Sequence, residues 1–416
     1  MTCIAFRLDA SADIGLGHLM RCLAIADFLA ERGAVCHFLT WQLPAAQAAR
    51  LFPHQHHPLP DKESLGPLAA LQPRWLVIDH YHLDRCWELL AAEHCRHILV
   101  IDDLADRPHH CQLLLDQGPL RSAHDYADLI PTDGRLLLGT DYALLRPAFR
   151  AKAKTSLAPW QKGLICFGGA DPAGACLTTL QSLAASGWAA RLHWTVVAGS
   201  ANPQLPALQT WLAAHSSLAI TLLAHSDNMA ELMAGHDMAI GAAGGMTWER
   251  ACIGLPTLAV AIVDNQVFNA EVIAHYQLAA SLSLTELAQP ATLAAALTEL
   301  EEKQDNYRLR AQAMVDGRGL SRLACLLLAG DKHGLQPVGN RWRWQGKSGQ
   351  SVTLSPHAEH WLVQGEPLAP GEWQELAHAL LYFIPDSAFL LVTDSAWSLP
   401  APWQRDEQGW RLTRPS

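Results

Sequence analysis

The chain has 416 residues; half are apolar and 17% charged, and 30 Lys and Arg against 40 Asp and Glu give a net charge of −10. That length accommodates two or three domains with sizeable cores, and the acidic balance excludes a broad basic face for nucleic acid. The ten cysteines include no C-x-x-C pair, which fits reduced, buried thiols in a cytoplasmic protein rather than a disulfide frame or a zinc site.

In chain order, Cys3 to Leu8 reads as a strand, followed by the loop from Asp9 to Gly17. A helix is predicted from about His18 to Arg32, because Leu19, Cys22, Leu23, Ala26 and Leu29 recur with helical period and Gly33 stands at its end. Ala34 to Thr40 reads as the next strand. Trp75 to Ile78 and His97 to Ile101 are short apolar runs that each end in Asp, as buried parallel strands do. His54, His56 and His57, in a Pro-rich stretch, and His109 and His110 read as solvated loop histidines. Residues 151–159 read as a linker.

A second series then begins. Strands are predicted at Leu164 to Phe167, His193 to Ala198, Ile220 to Leu223, Met238 to Ala242 and Thr257 to Val263, with helices between them and from Asn265 onward. Alternating strand and helix implies a doubly wound α/β layer set in each half, with a cleft where the strands' carboxyl ends face each other. Composition shifts near residue 331: the last 86 residues hold seven of the fifteen tryptophans and no cysteine. Strands at Arg341 to Trp344, Ser351 to Leu354 and Phe389 to Thr393, with a helix from Glu372 to Leu381, suggest a small α/β appendage whose tryptophans form a core. The expected division is 1–152, 158–330 and 331–416. No uncharged apolar run reaches membrane-spanning length, and no basic and apolar leader opens the chain. Neither a membrane nor a nucleic-acid partner is expected.

Three strand-to-helix turns carry the candidate chemistry. The first runs Arg7, Asp9, Ser11, Gly15, Gly17, His18 and Arg21. Glycines there let backbone amides approach a ligand, and a helix N-terminus favours an anion. His18, in the first helical turn, could take a proton from water or simply cap a tight turn. The second runs Gly244, Gly245, Thr247 and Glu249, where a carboxylate early in the helix could accept both hydroxyls of a ribose. The third is Gly168, Gly169 and Asp171. At the next junction Asn265 and Gln266 could bond sugar hydroxyls, or Asp264 or Asn265 could cap a helix. Asp79, Tyr81, Asp102 and Asp103 end strands of the first half. Adjacent residues on an extended chain point to opposite faces, so one of Asp102 and Asp103 is expected to face the cleft, and the residues leave open which.

Together the stretches Arg7 to Cys22, Ile78 to Asp84, Ile101 to Arg107, Tyr142 to Arg146, Cys166 to Pro172, Gly244 to Arg250, Gly254 to Pro256 and Asn265–Gln266 resemble the UDP-2,4-diacetamido-2,4,6-trideoxy-β-L-altropyranose hydrolase family of pseudaminic acid biosynthesis (PseG type), across about residues 3–330. The resemblance implies a GT-B fold, with UDP in the second half and the sugar over the first. It implies inverting hydrolysis of the UDP-sugar without a metal or cofactor. The family's catalytic histidine falls on His18; Tyr81 and Asn265 match positions near the sugar or its phosphates, and Glu249 the residue at the ribose. Residues 331–416 depart from the minimal family pattern. Oligomeric state is left open, a monomer being compatible. A GT-B glycosyltransferase using a UDP-sugar donor and a non-catalytic UDP-sugar binding module are the alternative readings.

Overall fold

A computed structural model describes residues 2–11, 14, 16–156, 158–199, 202–328, 335–338, 341–346, 348–356, 361–365, 368–383, 389–392, 403–406 and 409–412. The first unit is a parallel sheet of β1 (Thr2–Leu8), β2 (Ala34–Thr40), β3 (Gln55–Pro58), β4 (Trp75–Asp79), β5 (His97–Ile101), β6 (Leu113–Asp116) and β7 (Arg135–Leu138). Its spatial order is β3-β2-β1-β4-β5-β6-β7. The second is a parallel sheet of β8 (Lys162–Cys166), β9 (His193–Val197), β10 (Ile220–Leu223), β11 (Met238–Ala242), β12 (Thr257–Ala261) and β13 (Ala280–Ser283), in the order β10-β9-β8-β11-β12-β13. The central strands are buried on both faces, β4 and β11 throughout their length, which is why they read as continuous apolar runs.

In both sheets the order reverses beside the first strand, between β1 and β4 and between β8 and β11. Open α/β sheets bind ligands at such switch points, outside the carboxyl ends of the strands. The helix Gly17–Ala30 follows β1 and the helix Met246–Ile253 follows β11, so each switch point has a helix N-terminus beside it.

The histidines at 54–57 depart from expectation. Residues 55–58 form an edge strand rather than a loop, and the rings bond inward: His54 to Asp27 at 2.8 Å, His56 to Thr40 at 2.8 Å and His57 to His37 at 3.1 Å. Backbone pairing with β2 and these partners hold a strand that has no apolar alternation to announce it.

The third sheet is mostly antiparallel: β14 (Leu335–Val338), β15 (Arg341–Gln345), β16 (Ser351–Pro356), β17 (Trp361–Gly365), β18 (Phe389–Val392), β19 (Trp403–Asp406) and β20 (Gly409–Leu412). With the helix Pro370–Phe383 it forms the expected appendage; Thr393, the expected end of its last strand, lies outside the described residues. Trp342, Trp344 and Trp373 are buried in one continuous core with Leu23, Ala26 and Leu29 of the helix Gly17–Ala30 and Leu323 and Leu327 of the helix Gly319–Leu328. Tyr382 Oη donates to the Arg32 carbonyl at 2.6 Å, and Arg32 Nε donates to the Tyr382 carbonyl at 2.9 Å. The appendage therefore docks at the far end of the helix whose first turn carries His18. Among the described residues no helix is long and apolar enough to cross a membrane.

Candidate active site

β1 and β4 pair with Leu8 opposite Asp79, which sets the turn after β1 against the end of β4. There His18 Nδ1 and Asp79 Oδ1 form a short hydrogen bond. Arg21, one helical turn on from His18, grips the same carboxylate with two nitrogens, Nε to Oδ2 and Nη2 to Oδ1, each at 2.5 Å. Asp79 is fully buried. Burial alone would raise its pKa, but the Arg21 guanidinium and the His18 ring outweigh burial and hold the carboxyl well below the usual carboxylate range. An ionised carboxylate can only accept, so Nδ1 of His18 carries the proton. Nε2, on the other side of the ring, has no partner among the described residues and is not enclosed.

Tyr81 stands edge-on to the His18 ring, centroids 4.7 Å apart. Its hydroxyl reaches Asp103 Oδ2 at 3.5 Å, and burial, with Asp103 close by, raises its pKa so that it stays a donor. Asp103 also lies 3.4 Å from Arg21 Nη1. Its neighbour Asp102 turns the other way, accepting from Ala105 N, Arg107 Nη1 and the Tyr126 hydroxyl. Asp103 is thus the residue on the His18 side, which settles a point the sequence left open.

Arg7 and Asp9 lie beneath these groups. Both are buried and bonded to each other at 2.9 Å. Asp9 accepts from the backbone of Trp41 and Gln42 and from His80 Nε2, and Arg7 donates to the Lys62 carbonyl. His80 Nδ1 accepts from His82 N, which fixes the proton on Nε2. Burial opposes ionisation of Asp9, but His80 and Arg7 bring its pKa down to about 2. The pair ties the ends of β1, β2 and β4 together; the Asp9 oxygens and both terminal nitrogens of Arg7 bond to protein, while Arg7 Nε has no partner among the described residues. Gly15 lies outside the described residues, while Gly17 opens the helix, which no side chain caps among the described residues.

Across the cleft, a Cβ built on Gly169 would stand 3.8 Å from Leu16 Cδ1, so the glycine turns of the two halves face each other. Gly168 adopts φ +101°, a conformation open to glycine. Asp171 caps the following helix through Ala175 N at 2.8 Å and Cys176 N at 2.9 Å, leaving that helix end occupied. The helix Met246–Ile253 differs: Gly245 precedes it without a capping side chain, and Gly245 is exposed with open space where a side chain would be. Thr247 is buried, its hydroxyl turned to the Ala242 carbonyl at 3.4 Å. Gln266 Nε2 would lie 3.2 Å from a Cβ on Gly244, and its Oε1 accepts from Ile262 N at 3.2 Å. Asn265 lies in the same short helical turn, Asp264–Gln266. Glu249 is half-buried, and burial raises its pKa to about 7 against the pull of Arg146 and Arg250. Sequence reasoning gave no role to Arg250, which is buried under this turn; an arginine beside a helical glutamate carries no signal of its own. Among the described residues no group of three or more His, Cys, Asp or Glu stands where it could hold a metal ion.

The glycosyltransferase family 28 C-terminal domain matches residues 167–321. The UDP-2,4-diacetamido-2,4,6-trideoxy-beta-L-altropyranose hydrolase of Campylobacter jejuni is 30% identical over 268 residues, 63% of this chain and 93% of that protein. The chain belongs to that hydrolase family. The spore coat polysaccharide biosynthesis protein SpsG of Bacillus subtilis is 28% identical over 201 residues, 46% of this chain and 58% of that protein. Acinetobacter baumannii MurG superposes with a TM-score of 0.56 at 14% identity, covering 79% of this chain and all of the other, a likeness of fold alone. The two Rossmann-like units of this hydrolase family member thus form a GT-B fold. Its cleft brings together an imidazole with one nitrogen fixed and one without a partner among the described residues, and two helix N-termini that no side chain caps among those residues. An imidazole so held can accept a proton at Nε2, and helix N-termini can receive an anion.

Proposed function

We propose that the protein hydrolyses UDP-2,4-diacetamido-2,4,6-trideoxy-β-L-altropyranose to UDP and the free sugar, with inversion at the anomeric carbon, in pseudaminic acid biosynthesis. The observation that carries this reading is the His18–Asp79 pair at the β1–β4 switch point, with the uncapped Gly244–Gly245 turn in the opposite half. The nucleotide lies over Gly244, Gly245 and Thr247, with Gly168 and Gly169 beside the phosphates, Glu249 at the ribose, and Asn265 and Gln266 toward the phosphates and sugar. The sugar lies over the first half, near Tyr81.

Asp79 accepts a hydrogen bond from Nδ1–H, stays ionised, and steadies the positive charge that the ring gains. Nε2 of His18 takes a proton from water as the water oxygen attacks the anomeric carbon. The bond from that carbon to the β-phosphate oxygen breaks, and UDP leaves with the electron pair. Amides at the start of the helix Met246–Ile253 meet the growing phosphate charge. Closure of the two halves excludes bulk water and aligns the attacking one.

The test is to mix the purified protein with a panel of UDP-sugars, without an acceptor, and follow UDP and sugar by NMR. The expected result is stoichiometric UDP and free sugar of inverted configuration from the diacetamido sugar. Turnover that appears only when an acceptor is added would replace this reading with a glycosyltransferase, and binding without turnover would replace it with a binding module.

A further inference from the structure

Arg250 is 1% exposed, yet its cationic head is poorly supplied with partners. Nη2 donates to the Ala242 carbonyl at 2.7 Å and to Thr247 Oγ1 at 3.3 Å. Nε and Nη1 are buried and find no hydrogen-bond acceptor among the described residues. The adjacent Glu249 gives no hydrogen bond to it, and burial raises the Glu249 pKa, which weakens that carboxyl as a counter-charge. A buried cation with unmet donors is costly to the fold. Several other arginines, Arg7 and Arg74 among them, also leave a buried Nε without a hydrogen-bond partner among the described residues, but of these Arg250 alone adds a terminal nitrogen, Nη1.

Its position gives the charge a role. Arg250 lies at the root of both glycine turns of the second half. Ala242, which it holds, ends β11 just before Gly244 and Gly245. A Cβ built on Gly241 would approach Arg250 Nη1 to 2.7 Å and clash with the carbonyl of Cys166, the last residue of β8 before Gly168. Gly241 must therefore be glycine for the arginine to lie between the ends of the two strands that flank the switch point.

We propose that Arg250 is a positioning residue for the phosphates of a bound nucleotide: it braces the Ala242–Thr247 turn and sets a fixed positive charge beneath both glycine turns. The inference rests on the reading that UDP lies over those turns. Burial lowers the guanidinium pKa to about 10, which leaves it charged at neutral pH. In a buried setting that charge is weakly screened, so it acts on an anion across the turn more strongly than a surface arginine would.

The test measures UDP and uridine binding by calorimetry, and kcat and KM by UDP release, for the wild type and for Arg250→Met, Arg250→Lys and Gly241→Ala, with folding checked by thermal melts. Arg250→Met is expected to lose UDP affinity about tenfold or more while uridine binding changes less than about threefold, on the same scale. Arg250→Lys is expected to recover most of the UDP affinity. Gly241→Ala, which keeps the charge and pushes it aside, is expected to lower UDP affinity selectively. If Arg250→Met does not fold, the lysine and alanine variants decide. Equal losses for UDP and uridine would show a structural role only and overturn the proposal, as would unchanged UDP affinity in Arg250→Met or Gly241→Ala. Wild-type protein that binds neither ligand would instead overturn the UDP reading itself.

Discussion

His18 and Asp79, 61 residues apart, share a hydrogen bond because β1 and β4 are neighbours in the sheet and set the turn after one against the end of the other. Asp79 selects the His18 tautomer and is itself kept ionised by two bonds from Arg21. Removing the ring and removing its orienter should therefore have related but distinct effects. His18→Ala is expected to lower turnover by about two to four orders of magnitude and to leave UDP affinity within about threefold, since the ring lies in the half opposite the proposed nucleotide site. Asp79→Asn keeps the shape but can donate to Nδ1, which frees the wrong tautomer. A turnover loss of similar order is expected, with a lower melting temperature because Arg21 loses its buried counter-charge. Rates of UDP release measured well below the melting temperature separate the two effects. Near-normal turnover in His18→Ala would remove the ring from the chemistry.

Glu249 offers a pH signature. Burial raises its pKa from 4.5 to about 7. A carboxyl whose folded pKa exceeds its unfolded value binds its proton more tightly in the folded state. Its contribution is fully present below about pH 4.5 and is lost as pH rises toward 7. Glu249→Gln, which keeps the neutral shape, is therefore expected to melt at the same temperature as wild type at pH 4.5 and higher at pH 8. The gain would be about 1–3 kcal/mol. With Glu249 at the ribose as proposed, the same variant should bind UDP more weakly, because an amide offers one acceptor oxygen where a carboxylate offers two. Parallel melting curves across pH would place Glu249 in a wetter setting.

Much of the fold was legible because its central strands are buried on both faces and so read as apolar runs; β4 and β11 are of this kind. The edge strand β3 was not, since Gln55, His56 and His57 satisfy their needs by bonds to the neighbouring strand rather than by alternation. His18 was legible from its place in a helical first turn. Its pairing with Asp79 was not, because that depends on which strands are adjacent. Arg7 and Asp9 carry charges that the sequence points at a ligand, and the fold spends them on Lys62, Trp41, Gln42 and His80 instead. Successive helical residues diverge by about 100°, which is how Arg250 turns inward to Ala242 and Thr247 while its neighbour Glu249 faces another side of the helix.

Metal removal is expected to change nothing. Of the carboxylates nearest His18, Asp79 is held by Arg21 and His18, and Oδ2 of Asp103 faces Arg21 and Tyr81. The leaving phosphate would be met by the start of the helix Met246–Ile253, where partial positive charge is already fixed. UDP release after dialysis against excess chelator is expected to match the untreated rate within about twofold. Loss of activity that added Mg²⁺ or Mn²⁺ restores would mean that the phosphate charge is met by an ion instead.

The appendage is expected to govern stability without governing chemistry. It touches the helix Gly17–Ala30 at its far end, through Arg32 and Tyr382, whereas His18 sits in the first turn. A helix of 14 residues spans about 20 Å, so the two ends are separate surfaces of one rigid rod. Trp373 is 2% exposed within the core that the appendage shares with that helix. Trp373→Ala should cost about 3–5 kcal/mol by emptying the site, seen as a lower melting temperature. The folded fraction should keep its kcat within about twofold when assayed in the cold, since a rod loosened at its far end still presents the same first turn to Asp79. A tenfold or larger fall in kcat for folded Trp373→Ala would mean that the appendage sets the pose of His18 through the helix, and Tyr382→Phe, which removes only the bond to Arg32, would then show the same loss in milder form.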